Sequence, residues 1–488
     1  MNSTDVPQIV IEKLYILMKA GHEAFLVGGC VRDLHINRTP KDWDIATNAL
    51  PEQIQALFPE SFYDNNFGTV SVKTESEDST LKIIQITPYR GEGEYKDGRR
   101  PSEVFFGVSL EEDLKRRDFT INAIAWNPIK DTLTDPHDGL KDIKSKTVRA
   151  VGSATDRFGE DALRILRAIR FAAELDFDIE KETLLAINEQ KDLLSAISAE
   201  RVRDEFSKIL MSFKPEYGLS LMLRTEVLSY VVPELLESVG VEQTQAHAYD
   251  VWTHLIKTVQ HSADKELVLE VRLAALFHDI GKPATRRRDT SKNTWTFYGH
   301  EVVGAKITKK ILTRLKYPQD TVDLVVKLIR WHMFFSDTEQ ITLSAVRRMV
   351  ANVGKDHIWD LVNVRMCDRI GTGRPKENPY RLRKYEAMIE EALRDPISVG
   401  MLAVDGKDLI SELTVAPGPK IGFILNALME EVLEDPKLNT KEILLEKSRE
   451  LLALSDEELR NRGLAGKRKR EQEEEEAVSE IRDKYHVE

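Results

Sequence analysis

The stretch "LVGGCVRD", Leu26–Asp33, followed closely by "KDWDIATN", Lys41–Asn48, decides how the first third of this chain is read. "AFLVGG" has the character of a buried strand that ends in a glycine turn. In "KDWDIATN" two aspartates, Asp42 and Asp44, flank a tryptophan and lead into the apolar Ile45–Ala46. Residues two apart on a strand share a face. Two carboxylates would therefore stand side by side, and like charges so placed call for a cation. The pair Gly28–Gly29 lets backbone N–H groups approach phosphate oxygens, and Arg32 can neutralise them. Each feature alone is commonly structural. Together they describe a phosphate cradle beside carboxylates suited to Mg²⁺, which is held by one or two acids and the phosphates of a substrate.

Around this stretch the chain reads as α/β: an amphipathic helix over Val10–Lys19 and strand-like runs in "GTVSVKT" and "LKIIQIT". From about Phe158 the texture turns helical, as in "EDALRILRAIRFAAEL", and stays so nearly to Leu454. At 488 residues the chain is too long for one core. No apolar run approaches the ~20 residues needed to cross a bilayer. The first residues carry Glu12, Lys13 and Lys19 with no signal-peptide pattern. Only two cysteines occur, Cys30 and Cys367, which excludes a disulfide framework and fits a reducing cytoplasm. The net charge of −12 means that any nucleic-acid binding must rest on local basic patches.

Two further segments carry chemistry near the first. "EEDLKRRDFTINAIAWNP" holds Arg116, Arg117 and Asp118. "EDALRILRAIRF" places Asp161 and Arg164 three apart, one above the other on a helix face, with Arg167 and Arg170 continuing the row. The bland alternative is a solvated face bridged to Glu160 and Asp161. Farther on, "RLAALFHDIGKPATRR" contains the adjacent His278 and Asp279, with His254 before them and His300, His332 and Asp368 after. Imidazoles and carboxylates on several helices can assemble a transition-metal site inside a bundle. His247, seven residues before His254, is a rival for the first position. The basic clusters Arg286–Arg288, Arg347–Arg348 and Arg381–Tyr385 are each read as ordinary solvated faces.

The motifs "GGCVRD…KDWDIAT", "RRDFTINAIA", "TDPHDGLKDI", "FGEDALRILRAIRFAAEL" and "ISAERVRDEFSKIL", in that order, resemble the tRNA nucleotidyltransferase and poly(A) polymerase family, and within it the bacterial-type CCA-adding enzymes. The resemblance is close over roughly 25–210 and resumes in "LAVDGKDLI" and "APGPKIGFILNALMEEVL". It implies a polymerase-β-like α/β head followed by an all-α neck, HD domain and tail. The divisions expected are a catalytic head at 1–150, a neck at 151–235, an HD phosphohydrolase domain at 245–370, a tRNA-binding helical region at 377–455 and a charged tail, exposed helix or disordered, at 456–488. The resemblance further implies that Asp42 and Asp44 are catalytic and hold Mg²⁺ while an RNA 3′-hydroxyl attacks the α-phosphate of an NTP. Gly28, Gly29, Arg32, Arg117, Asp118, Arg167 and Arg170 would bind the nucleotide, and Asp161 with Arg164 would read its base.

The His/Asp series resembles the HD metal-dependent phosphohydrolases. His254, His278, Asp279, His300, His332 and Asp368 would hold divalent transition metal, with His300 and His332 matching the two-metal version. Some such domains are associated with phosphatase or 2′,3′-cyclic phosphodiesterase activity. One departure stands out: relatives often carry a third catalytic acid where this chain has Gln85. The Gly-rich "YRGEGEYKDGRRPSEV", Tyr89–Val104, is similar to the loop that members adding A require. The expectation is a cytoplasmic enzyme that completes tRNA 3′ ends with CTP and ATP and has no membrane partner. The rivals are an A-only enzyme, a poly(A) polymerase, and an HD hydrolase with a degenerate RNA-binding head.

Overall fold

The computed structural model describes residues 3–63, 68–93, 104–243, 248–290, 294–334 and 341–463. The chain divides into two compact units, Met1–Val231 and Val232–Glu488. Most of the segment read as a loop, residues 94–103, lies outside the described residues, as does the charged tail from 464 onward.

The first unit is built on strands β1 (Ala24–Val27), β2 (Asp44–Thr47), β3 (Ser61–Tyr63), β4 (Val70–Lys73), β5 (Ile83–Pro88), β8 (Ala125–Asn127) and β9 (Thr132–Thr134), with a separate ribbon of β6 (Arg90–Glu92) and β7 (Val104–Phe106). The main sheet runs β3-β4-β5-β2-β1-β8-β9. β1 pairs antiparallel with β2 and β8, whereas β2 pairs parallel with β5. The central β2 buries Ile45, Ala46 and Thr47 in succession, as expected of a strand covered on both faces. Its partner register, Leu26 opposite Ile45, means that β1 ends where β2 begins. The glycine turn and the aspartates are thereby brought to one edge of the sheet. Helix Gln8–Lys19 packs through Val10, Leu14 and Leu17, spaced i, i+4, i+7.

Helices follow the sheet, and Leu163–Leu175 packs against Ala199–Leu210. The run expected as one helix from Phe158 is in fact two, Ala154–Glu160 and Leu163–Leu175. Asp161 sits in the break with extended backbone, φ −146° and ψ 102°. Its Oδ1 accepts the N–H of Leu163 at 3.1 Å. An aspartate that captures the amide two residues on competes with helix continuation. Asp161 and Arg164 therefore do not share a helix face as the spacing alone suggests.

Among its described residues the second unit is helical apart from a hairpin pairing Arg287–Asp289 with Thr294–Thr296. Helices Val251–Asp264, Leu269–Phe277, His300–Arg314, Gln319–Trp331 and Ile358–Gly371 pack as one bundle. Arg347, expected on a solvated face, is instead buried. Its Nε donates to Asp395 at 2.6 Å and its Nη1 to the carbonyl of Leu433 at 3.1 Å. The guanidinium thus caps the end of helix Pro419–Glu434, where unpaired carbonyls need donors. Among the described residues no helix is long and apolar enough to cross a membrane.

Candidate functional sites

In the first unit a cavity of about 810 Å³ is lined by Gly28, Gly29, Asp42, Asp44 and a set of arginines. Trp43 is buried while the aspartates on either side reach the cavity, so the alternation read from the sequence holds even though Asp42 precedes β2. Gly28 has φ 75° and ψ −133°, a conformation that disfavours any residue with a Cβ. A Cβ there would also stand 3.2 Å from Arg117 Nη1. Burial, and then the Asp42 carboxylate, push the Asp44 carboxyl up to about 6, with Arg117 working the other way. The two acids are thus an under-neutralised pair of hard oxygen donors, a set that fits Mg²⁺. Gln85 lies level with Asp44 on the parallel neighbour β5 and is exposed. At that register position it offers a neutral amide in place of a third acid.

The arginines are held by partners. Arg32 is buried, with Nε 2.9 Å from Asp33 Oδ1 and Nη1 2.5 Å from Asn122 Oδ1. Arg167 donates through Nε to Asp118 Oδ2 at 2.8 Å, and Asp118 also accepts from the Phe119 N–H and Asn122 Nδ2. Burial raises the Asp118 carboxyl, but Arg167 and Asn122 outweigh it and hold it well below the ordinary carboxylate range. Asp118, expected to meet the nucleotide, uses Oδ2 to fix Arg167 and Oδ1 to hold Asn122 and the Phe119 N–H. Arg117 pairs with Asp113 at 3.1 Å, and Arg170 Nε with Glu205 at 3.2 Å. Arg164 donates to Glu160 and, at 2.9 Å, to the carbonyl of Arg157. Asp161 Oδ2 accepts from Arg201 Nη2 at 2.7 Å. Asn122 and Arg201 were not anticipated as site residues. Both lie inside the quoted motifs, but nothing local marks an asparagine in "TINAIA" or an arginine on an amphipathic helix as a cavity residue.

In the second unit the six residues of the His/Asp series come together. Helices Leu269–Phe277 and Gln319–Trp331 each run directly into a histidine, His278 and His332. The Nδ1 of His278 donates to Ala275 O at 2.9 Å, that of His332 to Ile329 O at 2.7 Å and that of His300 to Phe297 O at 2.7 Å. A ring that donates from Nδ1 presents a lone pair on Nε2. Those nitrogens converge: His254 Nε2 is 3.0 Å from His278 Nε2, and His300 Nε2 is 3.3 Å from His332 Nε2. Asp279 stands between the pairs, its Oδ2 3.1 Å from His254 and its Oδ1 3.1 Å from His300. Asp368 Oδ1 lies 3.4 Å from His254.

Two donor triads result, His254–His278–Asp279 and Asp279–His300–His332, sharing one aspartate. Lone pairs aimed at one another suit divalent metal placed between them, so the donor set fits such an ion. Burial disfavours a charged His278, but Asp279 and Asp368 overcome it and raise its pKa to about 10. The close approach depends on Gly281, where a Cβ would collide with the carbonyl of His300 and lie 2.6 Å from the nitrogen of Gly304. His247 lies outside the described residues.

Comparison with known proteins matches family domains over the regions that carry the two sites. Residues 24–149 match the "Poly A polymerase head domain", 176–238 a "Probable RNA and SrmB- binding site of polymerase A", and 251–356 the "HD domain". Head and HD domains of these kinds imply the use of divalent metal. The CCA-adding enzyme of Listeria monocytogenes is 33% identical over 440 residues, 89% of this chain and 96% of the relative. That of Ligilactobacillus salivarius is 31% identical over 449 residues, 91% and 95% of the two chains. The crystal structure of the Bacillus stearothermophilus CCA-adding enzyme in complex with CTP superposes with a TM-score of 0.68 at 29% identity, covering 91% of this chain and 97% of that one. The fold is accordingly a polymerase-β-like head with a mixed sheet, followed by a helical neck and an HD domain. Since the likeness runs through nearly the full length of its relatives, the chain belongs to the family of CCA-adding enzymes.

Proposed function

We propose that this chain completes or repairs the 3′-terminal CCA of tRNA in the cytoplasm, using CTP and ATP and releasing pyrophosphate. The observation that carries the proposal is the Asp42–Asp44 pair in an arginine-lined cavity, in a chain of this family. Mg²⁺ held by the two aspartates would supply a Lewis acid for attack by the RNA 3′-hydroxyl. Arg32, Arg117 and Arg167 neutralise the triphosphate. Asp33 and Asn122 orient the first and Asp118 the last, so little freedom is lost when the nucleotide enters.

Asp161 and Arg164 read the base. Cytosine and adenine both present an amine donor beside a ring-nitrogen acceptor, which an accepting aspartate and a donating arginine satisfy; uracil and guanine present the reverse. The reading assigns the head to 1–150, the neck to 151–235, the HD domain to 245–370, the tRNA-binding helices to 377–455 and the charged tail to 456–488. The test offers tRNA lacking CCA, tRNA ending in CC and an unrelated RNA, with single NTPs and with CTP plus ATP. Two C and one A followed by a stop are expected, and the Asp42→Ala/Asp44→Ala variant should add neither. Addition of A alone to tRNA lacking CCA, or of a long A tail to any of the RNAs, would refute the CCA programme.

A second activity is favoured by the convergence of His254, His278, Asp279, His300, His332 and Asp368: hydrolysis of phosphoesters at divalent transition metal. These side chains would hold ions that activate water. Removing a terminal phosphate would restore the hydroxyl that the head requires. His278→Ala/Asp279→Ala should abolish cleavage of 2′,3′-cyclic phosphate; undiminished cleavage would refute the assignment.

A further inference from the structure

Of the three arginines assigned to the triphosphate, Arg32 and Arg167 have side chains that orient them, whereas Arg117 is tied to Asp113, a residue not counted among those of the site. Asp113 lies in helix Leu110–Lys115 with its side chain 1% exposed. The neighbouring Leu114 shares a buried cluster with Val27 of β1 and Ala46 of β2. The helix is thereby pinned to the two strands that deliver the glycine turn and the aspartates.

One carboxylate serves three arginines. Its Oδ1 accepts from Arg116 Nη2 at 2.7 Å, from Arg116 Nε at 3.0 Å and from the Arg90 N–H at 3.3 Å. Its Oδ2 accepts from Arg117 Nη2 at 3.1 Å. Burial disfavours the charge on Asp113, but Arg117 and Arg116 outweigh it and hold the carboxyl below its ordinary value. Arg90, Arg116 and Arg117 all line the cavity that holds Asp42 and Asp44.

The Arg117 guanidinium is anchored at one end and presented at the other. Its Nη2 faces Asp113, while its Nη1 stands over the glycine turn, 3.2 Å from where a Cβ of Gly28 would be. Asp44 Oδ2 lies 3.9 Å from that same point. A guanidinium is a rigid planar fork, so fixing one amino group sets the direction of the other. An arginine without such an anchor would lose rotamer freedom only when the anion arrives, which weakens binding.

We infer that Asp113 is a positioning residue for nucleotide binding, holding the Arg117 guanidinium over the glycine turn so that Nη1 meets the triphosphate. The inference rests on reading Arg117 as a triphosphate ligand, and it assigns to Asp113 an effect on the phosphates and none on base choice.

The test is a double-mutant cycle on the full chain. Asp113→Asn keeps the shape of the side chain and removes its charge. Calorimetric binding of inorganic tripolyphosphate and of CTP in chelator should weaken by the same factor, about tenfold, as for one charge-assisted hydrogen bond. The KM for CTP and for ATP should rise to match, while the KM for tRNA and the preference for CTP over UTP stay unchanged. Arg117→Ala should lose at least as much, and adding Asp113→Asn to it should bring no further loss. A purely structural role would instead lower kcat at unchanged nucleotide KM and would add its loss to that of Arg117→Ala; either result would overturn the inference. So would weakened CTP binding with tripolyphosphate unaffected. Asp113→Ser, which leaves room for a water beside Arg117, runs the same cycle where the asparagine variant does not fold. If Arg117→Ala leaves tripolyphosphate binding unchanged, the triphosphate reading fails and the inference with it; if only the Asp113 variants are silent, the inference fails alone.

Discussion

Replacing Asp44 by asparagine should stabilise the protein while it disables the head. In the folded chain the Asp44 carboxyl titrates at about 6, raised from an ordinary 3.8 by burial and by Asp42. The folded state therefore binds this proton roughly a hundredfold more tightly than the unfolded chain, and the ionised form is disfavoured by about 3 kcal/mol. The sign follows from proton linkage. Between pH ~4 and ~6 the folded state holds more protons than the unfolded one, so stability falls as pH rises through that window and stays reduced above it. Asp44→Asn removes the charge. Partial solvation of the site limits the gain to about 1–2 kcal/mol at pH 7.5, or roughly 2–8 °C in the melting transition of the N-terminal unit. Scanning calorimetry of both proteins in chelator, from pH 4.5 to 7.5, should show curves that converge at the acid end. Added Mg²⁺ should raise the transition of the wild type and leave that of the variant in place. A variant less stable than wild type at pH 7.5 in chelator, or a gap that does not change with pH, would show that the aspartates are not an under-neutralised pair.

Three further outcomes are expected. Asp161→Ala should raise UTP and GTP incorporation relative to CTP and ATP by roughly tenfold, the worth of one lost hydrogen bond, and unchanged discrimination in single-nucleotide extension would remove Asp161 from base reading. Asp279 is common to both donor triads, so Asp279→Ala should abolish metal uptake measured by elemental analysis, whereas His332→Ala should lose about half; equal losses would argue against two ions bridged by one carboxylate. Gly281→Ala must displace the backbone of His300 or Gly304 and should lower the stability of the second unit by about 1–3 kcal/mol, with urea melts as the readout and an unaltered midpoint as the contrary result.

Legibility differed between the two sites for a physical reason. The head could be read because its chemistry is local. Asp42, Trp43 and Asp44 alternate by strand parity, and Gly28 follows β1 directly, so covalent geometry sets each motif, and the antiparallel pairing of β1 with β2 brings the carboxylates and the turn to one place. Asp161 misled because helical spacing assumes an unbroken helix, and its own side chain diverts the backbone at the junction. Arg347 misled because an arginine on an amphipathic helix looks solvated until the carbonyls it caps are known.

By itself the sequence determined most element types and the strand that carries the aspartates, since these depend on backbone periodicity and side-chain chemistry, while its resemblance to HD phosphohydrolases pointed to the His and Asp residues that could ligate metal. Tertiary structure alone decided that Asp118 serves Arg167, that Arg201 reaches across 40 residues to Asp161, and that Asp279 lies between two pairs of imidazoles. Those relations are distances between separate elements. They are set by packing, down to a missing Cβ at Gly281, and no pattern along the chain encodes them.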